Sequence, residues 1–158
     1  MGPVPVTAVG PQPDPPARPD PAAPYALAAG LHVSDLAASE RFYVALLGFS
    51  VFGRLDLPNG RLAALRFGNS MLKLLQWDEP RGPREAGPVL GIRYLTVHVT
   101  DPDEIVRQAV ARGHAVVRAP YSFSESVRVA FVADPDGNHV ELCAGVAWSP
   151  VGSDGSGA

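Results

Sequence analysis

The sequence has one cysteine and one lysine among its 158 residues, and both scarcities restrict what the protein can be. A single cysteine cannot form a disulfide within the chain, so the fold needs no oxidising compartment. No apolar run approaches the roughly 20 residues of a membrane span, and the N-terminus lacks the basic and apolar regions of a signal peptide. We therefore expect a cytoplasmic protein with no membrane partner.

A basic surface is also missing. The net charge is −3 and no stretch is rich in Lys or Arg, so the sequence lacks the electrostatic footprint of a nucleic-acid-binding protein. The basic residues other than Lys73 are arginines, a bias typical of a GC-rich genome. A lone lysine kept within an apolar strand is therefore a candidate functional residue. Hydrophobic residues make up 46% of the chain, enough for one domain with its own core.

One five-residue sequence motif occurs twice. Leu31-His32-Val33-Ser34-Asp35 returns 66 residues later as Val97-His98-Val99-Thr100-Asp101. Each copy is followed by an amphipathic segment, a glycine, a turn-rich stretch and an apolar strand. An internal repeat of this kind indicates two modules of the same architecture. It also places Lys73 and Glu141 at equivalent positions on the last strand of each module.

Each module has the predicted order strand, helix, strand, strand, strand. In the second module the last three strands are predicted over 115–118, 127–133 and 138–144. The last two residues of each copy of the repeated motif are N-cap candidates for the helix that follows, and Gly48 and Gly113 end the two helices. The chain divides into a disordered Pro-rich tail over residues 1–24, a first module over 25–76, a linker over 77–92, a second module over 93–146 and a flexible tail over 147–158.

Neither module can close a core alone, because a small sheet with one helix leaves its other face exposed. We predict an α+β fold in which two βαβββ modules form a curved, partly closed mixed β-sheet with the helices outside. The concave side of such a sheet is a cavity suited to a small-molecule ligand.

Several motifs resemble the vicinal oxygen chelate superfamily, which includes glyoxalases, extradiol dioxygenases, methylmalonyl-CoA epimerase and bleomycin-binding resistance proteins. The motifs are Arg41-Phe42-Tyr43, Leu46-Leu47-Gly48-Phe49 and the run from Phe131 to Asn138 that leads to Val140-Glu141-Leu142. The resemblance covers roughly residues 26–145 and implies the fold described above. It does not fix the activity, since one fold supports many functions.

The resemblance implies four metal-ligand positions, one on the first and one on the last strand of each module. These positions hold Ala28, Lys73, Tyr94 and Glu141. A divalent metal needs His, Glu or Gln there, so only Glu141 is a suitable ligand, and an ammonium at Lys73 would repel the ion. We therefore expect a metal-depleted member of the superfamily that uses no cofactor.

An alternative ligand set remains open. His32, His98 and Glu141 would form a set of two histidines and one carboxylate, and His139 has the same strand parity as Glu141. Local hydrogen bonding of each histidine at a strand end is the favoured interpretation.

Without a metal, the chemistry of the cavity depends on a few polar and aromatic side chains. We expect Lys73 and Glu141 to form an ion pair, because buried charges need partners. The catalytic candidates are Lys73, Glu141, His98 and His32. The ligand-binding candidates are Tyr94, Trp77, Tyr121, Phe123 and His139.

Two functions from different classes remain open. The first is a bleomycin-resistance-like protein that binds an aromatic or mostly apolar natural product in a metal-free cavity, as in antibiotic resistance. The second is a cofactor-independent or unusual-metal isomerase, epimerase, cyclase or lyase of specialised metabolism. In both cases the resemblance implies a homodimer, because relatives build each cavity from modules of two chains.

Overall fold

The structure is a computed structural model that describes residues 27–79 and 91–145. The predicted tails over 1–24 and 147–158 and most of the predicted linker over 77–92 lie outside the described residues. The first module contains β1 (Ala28–His32), α1 (Leu36–Arg41), a π-helical segment (Phe42–Leu46), β2 (Ser50–Leu57), β3 (Gly60–Phe67) and β4 (Ser70–Trp77). The second contains β5 (Tyr94–His98), α2 (Pro102–Ala111), β6 (Val116–Ser124), β7 (Val127–Ala133) and β8 (His139–Ala144).

The helix boundaries follow from local signals in the sequence. The carboxylate of Asp35 accepts the N–H of Ala38 at 3.0 Å, and that of Asp101 accepts the N–H of Glu104 at 3.0 Å, so an aspartate caps each helix. Gly48 and Gly113 both have φ of +78°, a left-handed conformation that glycine adopts without steric cost where a helix ends.

Each module forms one mixed four-stranded sheet. The strand orders are β1-β4-β3-β2 and β5-β8-β7-β6. In both sheets the first and last strands of the module pair in parallel and the other neighbours are antiparallel. The sheets do not close into a barrel, and the predicted α+β fold of two βαβββ modules is confirmed.

Strand alternation gives each sheet two distinct faces. Leu72 and Leu74 in β4, and Val140 and Leu142 in β8, are buried in the core beneath the helices. Residues between them point to the opposite side. We call this side the open face of each sheet. Its members include Lys73, Leu75 and Ala64 in the first sheet and Glu141, Thr96 and Phe131 in the second.

A single core cluster beneath the helices joins the two modules. Phe42 from the first module packs edge to face on His114 from the second, with ring centroids 5.0 Å apart. Burial lowers the pKa of His114, which keeps the imidazole neutral near pH 7. A guanidinium nitrogen of Arg112 donates to the carbonyl of Ala45 at 2.9 Å and ties the end of α2 to the first module.

Asp134 is the central polar group of this junction. It is 4% exposed, and one carboxylate oxygen accepts the hydroxyl of Tyr43 at 3.0 Å. It also accepts the N–H groups of Asp136 at 3.0 Å and Asn138 at 2.8 Å, and the side-chain amide of Asn138 at 3.0 Å. Burial and the adjacent Asp134 raise the pKa of Tyr43, so the phenol remains a proton donor. The nearby carboxylate of Asp136 accepts the N–H of Ser34 at 3.1 Å.

One predicted strand is too short. The sequence interpretation ended the strand after α2 at Arg118, whereas β6 continues to Ser124. Pro120 and the serines around it resemble a loop in sequence. β6 is the edge strand of its sheet and its pairing with β7 is irregular at several points, and such strands tolerate proline. Tyr121 and Phe123 therefore belong to a strand and not to a loop.

Among the described residues, no helix is both long and apolar enough to cross a membrane.

Candidate functional site

Lys73 lies on the open face of the first sheet among small and apolar neighbours. In the strand register it is opposite Gly30 of β1 and Ala64 of β3, and Met71 and Leu75 flank it on the same face of β4. A Cβ added at Gly30 would meet only Leu75 Cδ1, at 3.8 Å, so the space beside the lysine stem is open. The ammonium therefore has no acceptor among these neighbouring side chains.

Glu141 occupies the equivalent position in the second sheet but has different neighbours. It is opposite Thr96 of β5 and Phe131 of β7. The hydroxyl of Thr96 donates to Glu141 Oε2 at 2.6 Å and orients the carboxylate. Sequence reasoning missed Thr96, although the repeat offset of 66 residues aligns it with Gly30.

The structure does not pair Lys73 with Glu141 within one chain, so that prediction is wrong for the single subunit. The two residues belong to different sheets, and the open faces do not share a hydrophobic cluster. The ion pairs found within residues 27–79 and 91–145 involve neither of them. These pairs are Arg54–Glu40, Arg107–Glu104 and Arg128–Asp103.

The histidine candidates are dispersed. His32 packs edge to face on Trp77, with ring centroids 5.7 Å apart. His98 ends β5, and His139 begins β8 opposite Tyr94. Over the described part of the chain, no three His, Cys, Asp or Glu side chains lie close enough to hold a metal ion. One chain therefore does not assemble the alternative set of His32, His98 and Glu141.

The four positions that the resemblance implies for metal ligands also do not suit a divalent metal ion. Ala28 has no donor atom, Lys73 carries a positive charge, and the Tyr94 side chain is 49% exposed and packs on an aromatic ring. A divalent ion would be left with Glu141 as its carboxylate ligand, whereas Zn²⁺ sites use three or four protein ligands.

Aromatic side chains of three strands lie on the second open face. The rings of Tyr94 and Phe131 are perpendicular, with centroids 5.5 Å apart, and the guanidinium of Arg118 lies 3.8 Å from the centre of the Tyr121 ring. Phe123, further along β6, is 62% exposed. The sequence interpretation did not include Arg118, because nothing in the sequence distinguishes it from other arginines.

A cavity of about 500 Å³ lies between the modules and contains two of the predicted site residues, Tyr94 and His98. Its lining is mostly apolar, and Thr96 is a further polar group in it. The lining residues are Leu27, Ala29, Phe49, Phe67, Gly68, Asn69, Ser70, Met71, Leu72, Tyr94, Leu95, Thr96, Val97 and His98. Lys73, Glu141, Trp77, Tyr121 and Phe123 do not line this cavity.

Cys143 does not provide a nucleophile. It is buried beside Val127 and Val129 on the second open face. Burial, followed by the negative charge of Glu141, raises the pKa of its thiol. A protonated, enclosed thiol is unreactive.

Comparison with known proteins places these features in context. The sequence profile of the Glyoxalase/Bleomycin resistance protein/Dioxygenase superfamily matches residues 25–142. An uncharacterized protein of Mycobacterium tuberculosis is 36% identical over 124 residues, which cover 74% of this chain and 72% of that protein. A lactoylglutathione lyase of Neisseria meningitidis is 34% identical over 121 residues, which cover 71% of this chain and 84% of that protein. The crystal structure of a glyoxalase family protein from Enterococcus faecalis superimposes with a TM-score of 0.60 at 26% identity. The superposition covers 74% of this chain and 93% of that protein.

Proposed function

Because the chain belongs to the Glyoxalase/Bleomycin resistance protein/Dioxygenase superfamily, we propose that it binds an aromatic or mostly apolar small molecule without a divalent metal. The observation that carries this proposal is the chemistry of Ala28, Lys73 and Tyr94 at positions where metal-using relatives need ligands. The proposed role is sequestration of a natural product in the cytoplasm, as in bleomycin-type antibiotic resistance. The relatives named lactoylglutathione lyase are similar in sequence. We do not assign their activity to this chain, because three of its four implied metal-ligand positions hold Ala28, Lys73 and Tyr94.

The cavity between the modules supports the proposal. Its volume of about 500 Å³ is within the usual range of ligand pockets, about 300–1,000 Å³. Apolar side chains would cover the body of a ligand. The hydroxyls of Tyr94 and Thr96 and the imidazole of His98 would bind its polar edge, since a few convergent polar groups fix the orientation of a ligand.

A cofactor-independent isomerase, epimerase, cyclase or lyase of specialised metabolism is the second candidate. It is favoured by the half-buried carboxylate of Glu141, which Thr96 orients on a face rich in aromatic rings. Such a carboxylate can act as a general base. Conversion of a bound ligand to product would favour this candidate over sequestration. In that case Glu141→Gln should slow the conversion more than it weakens binding.

Filling the cavity should weaken binding of an apolar probe. In titrations with the fluorophore 8-anilinonaphthalene-1-sulfonate, we expect Ser70→Trp to weaken binding by roughly tenfold or more, because the indole would occupy volume now open to a ligand. Ser124→Trp is the matched control, since Ser124 is also an exposed strand residue but lies on β6 outside the cavity lining. Equal binding by the wild type and both variants would contradict the assignment of this cavity.

The wild-type protein should not bind a divalent metal tightly. Isothermal titration with Zn²⁺, Ni²⁺ and Mn²⁺ is expected to give no stoichiometric binding, and EDTA should leave probe binding unchanged. Stoichiometric metal in the wild type, lost on Glu141→Ala, would show that the expectation is wrong.

A further inference from the structure

Two positively charged side chains border the cavity between the modules. The consecutive residues 67–72, around the turn that joins β3 to β4, all line the cavity. Arg66 precedes this run and Lys73 follows it. Both side chains are on the open face, because their neighbours Leu65 and Leu74 are buried in the core. The two charges therefore lie beside the part of the cavity that this turn forms.

The two charged residues are also close neighbours on the sheet. Lys73 is opposite Ala64 and Arg66 is opposite Met71, so Lys73 and Arg66 occupy diagonal positions of an antiparallel strand pair. Such positions are about 7–8 Å apart, within reach of long side chains. Lys73 is half-buried and Arg66 is exposed, and neither belongs to an ion pair within the described residues. Two neighbouring like charges repel each other, and an anion bound by both would relieve the repulsion.

The first sheet does not supply that anion. Within strands β1 to β4, Asp56 is the one acidic residue, and it is opposite Arg61. Asp56 has the strand parity of Arg54, whose guanidinium donates to the carboxylate of Glu40 in α1 at 3.0 and 2.7 Å. Asp56 is therefore on the helix side of the sheet, and the open face presents Lys73 and Arg66 without a carboxylate from these strands.

Small residues leave room for a ligand beside Lys73. Across the sheet, Lys73 is in one row with Gly30, Ala64 and Gly53. A Cβ added at Gly53 would meet nothing within 4 Å, and one added at Gly30 would meet only Leu75 Cδ1, at 3.8 Å. Lys73 is thus the one charged side chain in a shallow row of small residues, and a flat group can approach its ammonium without displacing a large residue.

We propose that the ligand of the cavity is an organic acid, with its aromatic or apolar body between the modules and its anionic group bound by Lys73 and Arg66. The inference rests on the proposed function, because it specifies the chemical class of small molecule that the cavity takes. An ammonium and a guanidinium form strong charge-assisted hydrogen bonds to a carboxylate or a sulfonate. The same charge at Lys73 that repels a divalent metal attracts this group.

Two probes that differ in one anionic group test the inference. The fluorophore 8-anilinonaphthalene-1-sulfonate carries a sulfonate, and N-phenyl-1-naphthylamine has the same ring system without it. In fluorescence titrations we expect Lys73→Met to weaken binding of the sulfonate by about tenfold and of the neutral probe by less than about twofold, because the ammonium donates to the sulfonate alone. Arg66→Gln should act in the same direction with a smaller effect, since water screens an exposed charge. Arg41→Gln removes the same charge from the exposed end of α1 and should change neither affinity.

The two probes separate this inference from the proposed function. If the wild type binds both probes and the Lys73→Met and Arg66→Gln variants bind the sulfonate as tightly as the wild type does, the anion site is overturned and the proposed function stands. Failure of the wild type to bind either probe would contradict both.

A conservative variant shows whether charge is the cause. Lys73→Arg keeps the positive charge and should retain most of the affinity for the sulfonate. A loss equal to that of Lys73→Met would assign the effect to packing and overturn the inference. Should Lys73→Met fail to fold by circular dichroism, Lys73→Gln is measured in its place, with the same expected loss for the sulfonate and the same result counting against the site.

Discussion

Replacing Asp134 with alanine is expected to reduce the free energy of unfolding by about 3–5 kcal/mol, which is a large part of the stability of a domain of this size. The side chain is 4% exposed and accepts four hydrogen bonds, from Tyr43, Asp136 and Asn138. Alanine would leave the buried phenol and two backbone N–H groups without acceptors, and unsatisfied buried donors are costly. Urea unfolding followed by circular dichroism measures the loss.

Two variants test whether loss of the Asp134 carboxylate is the cause of this destabilisation. Tyr43→Phe removes one of the four donors and leaves the turn intact, so the expected loss is about 1–2 kcal/mol. Asp136→Ala removes an exposed acceptor of the Ser34 N–H and should cost less than about 1 kcal/mol. If Asp134→Ala were no more destabilising than Asp136→Ala, Asp134 would not be the centre of the junction.

Phe42→Ala is expected to cost about 3–5 kcal/mol, the usual range for truncating a fully buried phenylalanine. Its side chain has no exposed surface, and its ring packs edge to face on Tyr43 and on His114 of the other module, with centroids 5.0 Å apart in both cases. The cavity left by alanine would lie where the modules meet, so both should unfold in one shifted transition.

Phe123→Ala is the matched control for this truncation. Phe123 is 62% exposed, so its removal should change the unfolding free energy by less than about 1 kcal/mol. A loss as large as that of Phe42→Ala would mean that Phe123 contributes to the core, contrary to its exposure in the structure.

Much of the fold could be predicted from sequence because its signals are local. Asp35 and Asp101 precede amphipathic segments, and Gly48 and Gly113 end them, so both helices were located by residues that act within one turn. The strand predicted over Val127–Ala133 has the bounds that the structure shows for β7. The end of β6 was missed because tolerance of Pro120 depends on the strand lying at a sheet edge, which is a tertiary property.

The candidate site was less predictable because it depends on how the modules are placed. Tyr94 and His98 line the cavity, but so do Leu95 and Val97 from the other face of β5, so strand parity alone does not locate the cavity. Lys73 and Glu141 were predicted to meet across one concave face, but strand parity gives no information on which sheets face each other. The ion pair was therefore assigned to one chain, in which the two sheets present separate faces. The roles of Trp77, Tyr121, Phe123, His32 and His139 in ligand binding or catalysis remain predictions.

The π-helical segment Phe42–Leu46 marks a difference in length between the two halves of the chain. From capping aspartate to terminating glycine, the first half runs from Asp35 to Gly48 and the second from Asp101 to Gly113, one residue fewer. A π turn accommodates one extra residue within a helix. The widened turn carries two aromatic residues that α2 lacks, and they contact the other half. The two halves therefore share a topology but are asymmetric partners, since the first supplies the aromatic side chains and the second supplies the groups that receive them.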